Sequence, residues 1–362
     1  MIISELRATG FRNFASATLA PAEGSNIFYG DNGSGKTNLL EAIFLLCLGR
    51  SHRGATDTIM VQDESPFYRV EGRIKTADKN FEVAIAFQRD GRKKVQIDKV
   101  PAKLSELYDL FCVVAAGPED SVIISGSPSA RRMFLDIYLS QFRKLYLDDL
   151  TQYRKALSQR NAALKHGHDP SPFGTILVEI GARVILGRIQ FLRELAVSTS
   201  QFYGNISRGG LLALKYEPSV PCDDDTDDLK LITERFLEEL DQVRVREQVV
   251  QTTLVGPHRD EIVFSIDNRP ARSHGSQGEW RTAAIALKLA VYQMLREKRR
   301  MPPILLLDEI FAELDQHRVG GLIECFGQFG QLFLTTAVEP PAALSRDGRS
   351  FRIEENRIEG SQ

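Results

Sequence analysis

The sequence predicts an α/β protein: a head of mixed and antiparallel sheets, encoded in two pieces, with a helical arm inserted between them. Three observations predict it. Near the N-terminus a strand-loop-helix passage carries Gly30-Asp31-Asn32-Gly33-Ser34-Gly35-Lys36-Thr37, the G-x-x-x-x-G-K-[ST] pattern in which backbone N–H groups and a lysine wrap a polyphosphate. Near the C-terminus the wholly apolar run Ile304-Leu305-Leu306-Leu307 ends in Asp308-Glu309, a buried parallel strand with two carboxylates at its end. Between them the hydrophobic spacing passes from period two to helical steps, then back. The loop and the carboxylate strand must meet, so residues 1–117 and 251–362 are expected to form one head, and 118–250 the arm.

The elements follow in order. Short strands are expected from Ile2 to Ala8, Ala15 to Leu19 and Ser25 to Tyr29, the last running into the glycine loop. A helix from Lys36 through Leu46 carries Leu39, Leu40, Ile43, Phe44 and Cys47 on its apolar side. From Phe67 to Ala116 alternation takes over, with Tyr68, Val70, Gly72 and Ile74, then Phe81, Val83, Ile85 and Phe87. Asp90-Gly91 between two such runs is a hairpin signal, and the region is an antiparallel sheet.

From Pro118 the composition turns helical. Ser127-Pro128 resembles a cap with a first-turn proline, opening a helix through Gln141. Tyr146, Leu150, Tyr153, Leu157 and Leu164 mark a second helix; Leu177, Ile180, Val184, Phe191 and Leu195 mark a third, from Phe173 to about Phe202. Their spacing predicts two long helices packed as an antiparallel hairpin, and packing alone accounts for the stripe. The acidic run Asp223-Asp224-Asp225-Thr226-Asp227-Asp228 is most simply a solvated loop before a helix from Leu229 to Leu240. After Val250 come a strand from Glu261 to Ile266, a turn at Asp267-Asn268 and a long helix from Gln277 to Lys298. The apolar strand follows, then a helix near His317 to Phe326, a strand from Gln331 to Thr335 and a strand pair around Phe351 and Ile358.

Composition bounds the function. With 362 residues, 43% hydrophobic and 26% charged, the chain has the balance of a soluble globular protein with a sizeable core. A net charge of −2 excludes a uniformly basic nucleic-acid binder but allows a local basic surface. Met1-Ile2-Ile3-Ser4-Glu5 carries charge at once, so no signal peptide is read. No apolar run is long enough for a membrane span, and the expected location is the cytoplasm. Cys47, Cys112, Cys222 and Cys325 are scattered and read as reduced thiols.

The chemistry is read from three places. In the loop, Gly30, Gly33 and Gly35 let the backbone approach phosphate oxygens, Lys36 would bridge the β- and γ-phosphates, and the Thr37 hydroxyl would ligate Mg²⁺. The helix beginning there adds its positive end. At the strand end, Asp308 would hold Mg²⁺ and Glu309 is the general base for an attacking water; without a cation the adjacent carboxylates would repel. The third place, Ser273-His274-Gly275-Ser276-Gln277-Gly278-Glu279, opens the long helix. Ser276 with Glu279 is a capping box, complete as a structural explanation. The same hydroxyl, the Gly278 N–H and the helix end could instead receive a γ-phosphate from another subunit.

Together these segments are identified as a resemblance to ABC-type P-loop ATPase heads of the SMC-like group. The residues that carry it are the loop with Asn32, Ser276-Gln277-Gly278, Asp308-Glu309 and Ala312-Glu313-Leu314-Asp315. Within that group the chain resembles the RecF family of bacterial DNA replication and repair proteins. Gly10-Phe11-Arg12-Asn13-Phe14, Gly126-Ser127-Pro128-Ser129-Ala130-Arg131-Arg132, Gly256-Pro257-His258-Arg259-Asp260 and Arg281-Thr282-Ala283 extend the likeness over nearly the whole chain. The resemblance implies an ATP-dependent homodimer with two ATP molecules, each between one subunit's phosphate loop and its partner's Ser276 turn. It implies that Arg12 and Asn32 contact nucleotide and that Asp315 acts across the seam. It further implies a clamp on duplex and gapped or single-stranded DNA, released by slow hydrolysis, that helps load a recombinase together with recombination mediator proteins.

The chain departs from the pattern at named places. Glu279 stands where a glutamine is usual, followed by Trp280. Gln331-Leu332-Phe333-Leu334-Thr335-Thr336-Ala337 lacks the histidine many such heads carry, leaving Thr335 or Thr336 as γ-phosphate sensor candidates. Pro118-Glu119-Asp120 replaces a Mg²⁺-proximal glutamine, as in the RecF family. DNA-contact candidates are Arg50, His52 and Arg53; Arg92-Lys93-Lys94; Arg131-Arg132; and Lys298-Arg299-Arg300, each equally describable as a solvated face. The alternative function is the ATPase subunit of an ABC transporter. The long helical stretch between Lys36 and Ser276 and the missing histidine speak against it.

Overall fold

Alternation over the first hundred positions produces an antiparallel sheet. In the computed structural model, which describes residues 1–207, 209–223, 225–310, 329–337, 348–354 and 356–360, β1 (Ile2–Phe11), β2 (Phe14–Leu19) and β3 (Ser25–Tyr29) lead to α1 (Lys36–Leu48) and α2 (Asp57–Met60). Then come β4 (Phe67–Lys75), β5 (Asn80–Gln88), β6 (Lys94–Ile97), β7 (Val100–Pro101), α3 (Leu104–Leu110) and β8 (Val113–Ala116). The first sheet has the order β2-β1-β4-β5-β6-β7, with Asp90-Gly91 in the β5–β6 turn as expected. Its inward residues Ile3, Leu6, Ala8, Tyr68, Val70, Ile74, Val83 and Ile85 are buried, as the period of two requires.

The helical stretch gives α4 (Ser121–Ser125), α5 (Pro128–Phe142), α6 (Tyr146–Lys165) and α7 (Ser171–Ser207), then β9 (Leu212–Glu217), α8 (Leu229–Gln242) and α9 (Arg244–Val250). Next are β10 (Glu261–Ile266), β11 (Arg269–Pro270), α10 (Ala271–His274) and α11 (Gln277–Arg299). The chain finishes with β12 (Ile304–Asp308), β13 (Leu332–Thr336), β14 (Gly348–Glu354) and β15 (Arg357–Gly360). The helix expected near His317 to Phe326 lies outside the described residues.

The residues fall into two compact units, Met1–Asp120 with Lys288–Gln362, and Ser121–Leu287. In the first, a second sheet runs β15-β14-β3-β13-β12-β8; all neighbours are parallel except the β14–β15 hairpin, so this sheet is mixed. Helix α1 packs against β1, β4 and β5 of one sheet and β8, β12 and β13 of the other. That is why it is buried nearly all round rather than along one stripe. Leu39, Leu40, Ile43, Phe44, Leu45, Leu46 and Leu48 are each at most 1% exposed, and burying each such side chain contributes roughly 1.5–3 kcal/mol.

In the second unit α6 and α7 pack along their lengths, burying Tyr146, Leu150, Tyr153, Leu164, Leu177, Ile180, Val184, Phe191 and Leu195; of the residues the spacing selects, Leu157 is half-buried. The sequence reading places residues 251–287 with the head; in the structure they fold with the arm. The cause is β9, a strand inside the helical stretch, which pairs with β10 from Leu212↔Ile266 to Glu217↔Glu261. Buried charges reinforce this. Arg188 of α7 donates to Asp260 Oδ2 at 2.9 Å, the Pro257 carbonyl at 2.6 Å, Asp136 Oδ1 at 3.1 Å and Tyr146 Oη at 3.1 Å. The described residues of the acidic run form an exposed loop before α8, as expected; within it Asp228 caps α8 at the Lys230 and Leu231 N–H groups, and Asp227 pairs with Arg193 of α7 at 3.1 Å.

Candidate nucleotide site

The parallel sheet sets β3 beside β13 and β13 beside β12, so the phosphate loop and the Asp308-Glu309 pair emerge at the same carboxyl edge. Gly30, Gly33 and Gly35 have φ of 149°, 84° and 109°, the region glycine alone enters without strain. A Cβ at Gly30 would run into the Ile353 carbonyl, and one at Gly35 would sit 2.8 Å from Phe14 Cζ. Asp31, Asn32 and Gly33 form the exposed rim of the loop. Ser34 Oγ is buried without a hydrogen-bond partner, a polar atom suited to a phosphate oxygen.

Lys36 and Thr37 open α1. The Lys36 side chain is 3% exposed; its Nζ donates to the Gly30 and Asp31 carbonyls at 2.8 and 2.9 Å and lies 3.5 Å from Glu309 Oε1. Thr37 Oγ1 donates to Asp308, 2.9 Å from both Oδ1 and Oδ2. Thr335 Oγ1 reaches Asp308 Oδ1 at 2.5 Å. Burial pushes the Asp308 carboxyl above its ordinary range and the Glu309 charge adds to this, against the pull of the Thr335 and Thr37 hydroxyls. Glu309 sits at φ 43°, an unusual backbone for a glutamate. A hydroxyl and a carboxylate are hard oxygen donors, a set that suits Mg²⁺.

Around this core lie residues with less obvious signals. Arg12, at φ 55°, holds Glu41 in a two-pronged pair at 2.7 and 2.9 Å, so its guanidinium is spent on α1 in this state. Burial works to raise the Glu41 pKa, but Arg12 and the Ser51 hydroxyl outweigh it and hold the group below the usual carboxylate range. Asn13, which the sequence reading gave no role at the site, donates to the Ser34 carbonyl at 3.4 Å, accepts from Asn38 at 2.8 Å and pairs with Asn356. In Pro118-Glu119-Asp120, Glu119 pairs with Arg53 at 2.6 Å. Asp120 accepts from the Gly117 N–H at 2.9 Å and pairs with buried Lys288 at 2.7 Å.

The Ser276 turn forms its capping box in full. The Ser276 N–H and Oγ donate to Glu279 Oε2 at 2.7 and 2.8 Å, and the Glu279 N–H donates back to Ser276 Oγ at 3.3 Å. Trp280 Nε1 closes on the Ala271 carbonyl at 2.7 Å, which accounts for the indole. Ser276 is exposed and Gly278 half-buried; Asp315 lies outside the described residues.

Most basic clusters proposed for DNA are partly consumed internally. Arg131 is buried against Glu261 at 2.5 Å, and Arg132 donates to the Asp260 carbonyl at 2.8 Å. Lys93 pairs with Asp57 at 2.7 Å, and Arg299 donates to the Tyr108 and Asp109 carbonyls. Burial pushes the His52 imidazole down to about 4, so it carries no charge near neutrality. Arg92, Lys94, Lys298 and Arg300 remain exposed.

Loop, strand-end carboxylates and serine-glycine turn define a P-loop ATPase head of the SMC-like kind, and a family model described as RecF/RecN/SMC N terminal domain matches residues 2–348. A relative from Agathobacter rectalis, the DNA replication and repair protein RecF, is 35% identical over 94% of this chain and 93% of its own length. A solved structure of the recombination mediator protein RecF-ATP in the RecFOR pathway superposes with TM-score 0.92 at 32% identity, covering 100% of this chain and 98% of that one. The chain belongs to the RecF family. The wider fold extends to the Smc head domain of Pyrococcus furiosus, with TM-score 0.56 at 16% identity over 99% of this chain and 96% of that one. Among the described residues no helix is long and apolar enough to cross a membrane.

Proposed function

We propose that this RecF-family ATPase is an ATP-operated switch for DNA binding in replication and repair. The observation that carries the reading is the meeting of Lys36, Thr37, Asp308 and Glu309 at one sheet edge, in hydrogen-bond or ion-pair reach of one another. Thr37 and Asp308 would hold Mg²⁺, which supplies charge neutralisation for a triphosphate. The backbone N–H groups of residues 30–37 and the Ser34 hydroxyl cradle phosphate, and Lys36 exchanges its loop carbonyls for phosphate oxygens. Glu309 accepts the proton of the attacking water, and half-buried Asp308 keeps its carboxylate turned to the Thr37 hydroxyl.

In this reading two copies close on ATP, Ser276 and Gly278 of each capping the other's nucleotide, with Arg12, Asn32 and Asp315 assisting. The closed dimer grips DNA at single-strand gaps or duplex junctions, slow hydrolysis opens it, and recombination mediator proteins take the site onward to a recombinase. Among the described residues, exposed Arg92, Lys94 and Arg300 are candidates for phosphate contacts. The test is a gel-shift series on gapped, duplex and single-stranded DNA, with and without ATP, across a salt series. Binding is expected to require ATP and to weaken steeply with salt; equal retention without nucleotide refutes the switch.

A further inference from the structure

At the end of β13 a threonine hydroxyl is committed on both sides. Thr335 is 0% exposed; its Oγ1 lies 2.5 Å from Asp308 Oδ1 and 3.0 Å from the Glu309 backbone N. A carboxylate only accepts and an N–H only donates, so the hydroxyl gives its proton to Asp308 and accepts from Glu309. The Glu309 N–H is shared with the Thr335 carbonyl at 3.2 Å, an extension of the β12–β13 ladder. Asp308 is thus held from two directions, by Thr37 at the head of α1 and by Thr335. Glu309 adopts φ 43°, which a side-chain-bearing residue keeps only when its surroundings impose it, and the hydrogen bond to Thr335 is such an imposition. From that turn its carboxylate comes within 3.5 Å of Lys36 Nζ.

We infer that Thr335 is a positioning residue for both carboxylates rather than a γ-phosphate sensor: its hydroxyl fixes the Asp308 carboxylate for a divalent cation and the turn that aims Glu309. The inference rests on the nucleotide-site reading above. When a cation engages a lone pair of the Thr37 oxygen, the Thr37 proton still goes to Asp308, and Thr335 supplies the second donor that fixes the carboxylate's direction. Valine keeps the β-branched shape and the strand but removes the hydroxyl. Asp308 then loses that donor, and the Glu309 N–H retains only the carbonyl.

The test uses the full chain as wild type, Thr335→Val, Thr335→Ala and Thr335→Ser. Binding of a fluorescent ATP analogue is titrated with Mg²⁺, repeated in EDTA, and accompanied by the thermal midpoint of each protein. Valine and alanine are expected to need about tenfold more Mg²⁺ for half-saturation, with nucleotide affinity in EDTA unchanged and serine close to wild type. An unchanged Mg²⁺ requirement in either folded variant overturns the inference. So does a loss of the same size in EDTA, which marks a direct phosphate contact, or a failure of serine to restore the requirement. A wild-type chain that binds the analogue without any response to Mg²⁺ overturns the site reading itself.

Discussion

Replacing Asp260 with alanine is expected to weaken the arm more than any surface change. Asp260 is 1% exposed and accepts from Arg188, from the Tyr216 hydroxyl and from the Ser219 N–H. Alanine leaves a guanidinium that is itself 2% exposed short of one of its two carboxylates, and two further donors unsatisfied. Removing one partner of a buried ion pair costs about 3–5 kcal/mol, because the remaining charge stays out of water. At roughly 2–4 °C per kcal/mol for a unit of this size, the arm's transition should fall by roughly 6–20 °C in differential scanning calorimetry. Pairing Asp260→Ala with Arg188→Met should recover part of the loss, since no uncompensated guanidinium then remains and Asp136 keeps Arg154 and Tyr146. A drop of under about 2 °C for the single variant refutes the view that this network carries the arm's stability.

Other expectations follow from the head. Lys36→Ala should abolish nucleotide binding, measured by equilibrium dialysis with labelled ATP; retained affinity would remove Lys36 from the phosphate site. Glu309→Gln should bind ATP yet accumulate as a dimer, seen by sedimentation velocity; a monomer at saturating ATP counts against the clamp. His52 has a folded pKa of about 4 against an ordinary 6.5, so as pH falls the unfolded chain takes the proton first. Stability is therefore full above about pH 6.5 and declines between there and about pH 4, by roughly 3 kcal/mol in total. Urea unfolding of wild type and His52→Gln across this window checks it; equal pH slopes would refute the assignment.

Much of the site was legible because its parts are local in sequence. A glycine loop after an apolar strand, and an Asp-Glu pair ending another, announce their chemistry within a few residues each. The capping box at Ser276 was equally plain. What stayed hidden depends on partners far along the chain. Nothing near Arg12 says that its guanidinium is held by Glu41, and nothing near Thr335 says that its hydroxyl bridges Asp308 and Glu309. The same limit explains residues 251–287. Leu212 to Glu217 is a short stretch whose fate as a strand depends on β10, so the stretch that moved this segment to the arm was read as part of a helical region. The basic clusters show a related limit, since a run of Arg and Lys does not reveal which members are paired.

The position of β3 carries a consequence for how the protein is made. Its two neighbours in the sheet, β13 and β14, are encoded some three hundred residues later, and Ile353 packs its carbonyl on Gly30. A ribosome adding about 5–20 residues per second exposes the glycine loop well before either flanking strand exists. The antiparallel sheet can pair early from neighbouring hairpins, but the nucleotide loop must wait for the far end of the chain. A product cut short before Gln331 would keep every loop residue and still lack the strands that hold the loop's parent strand in place.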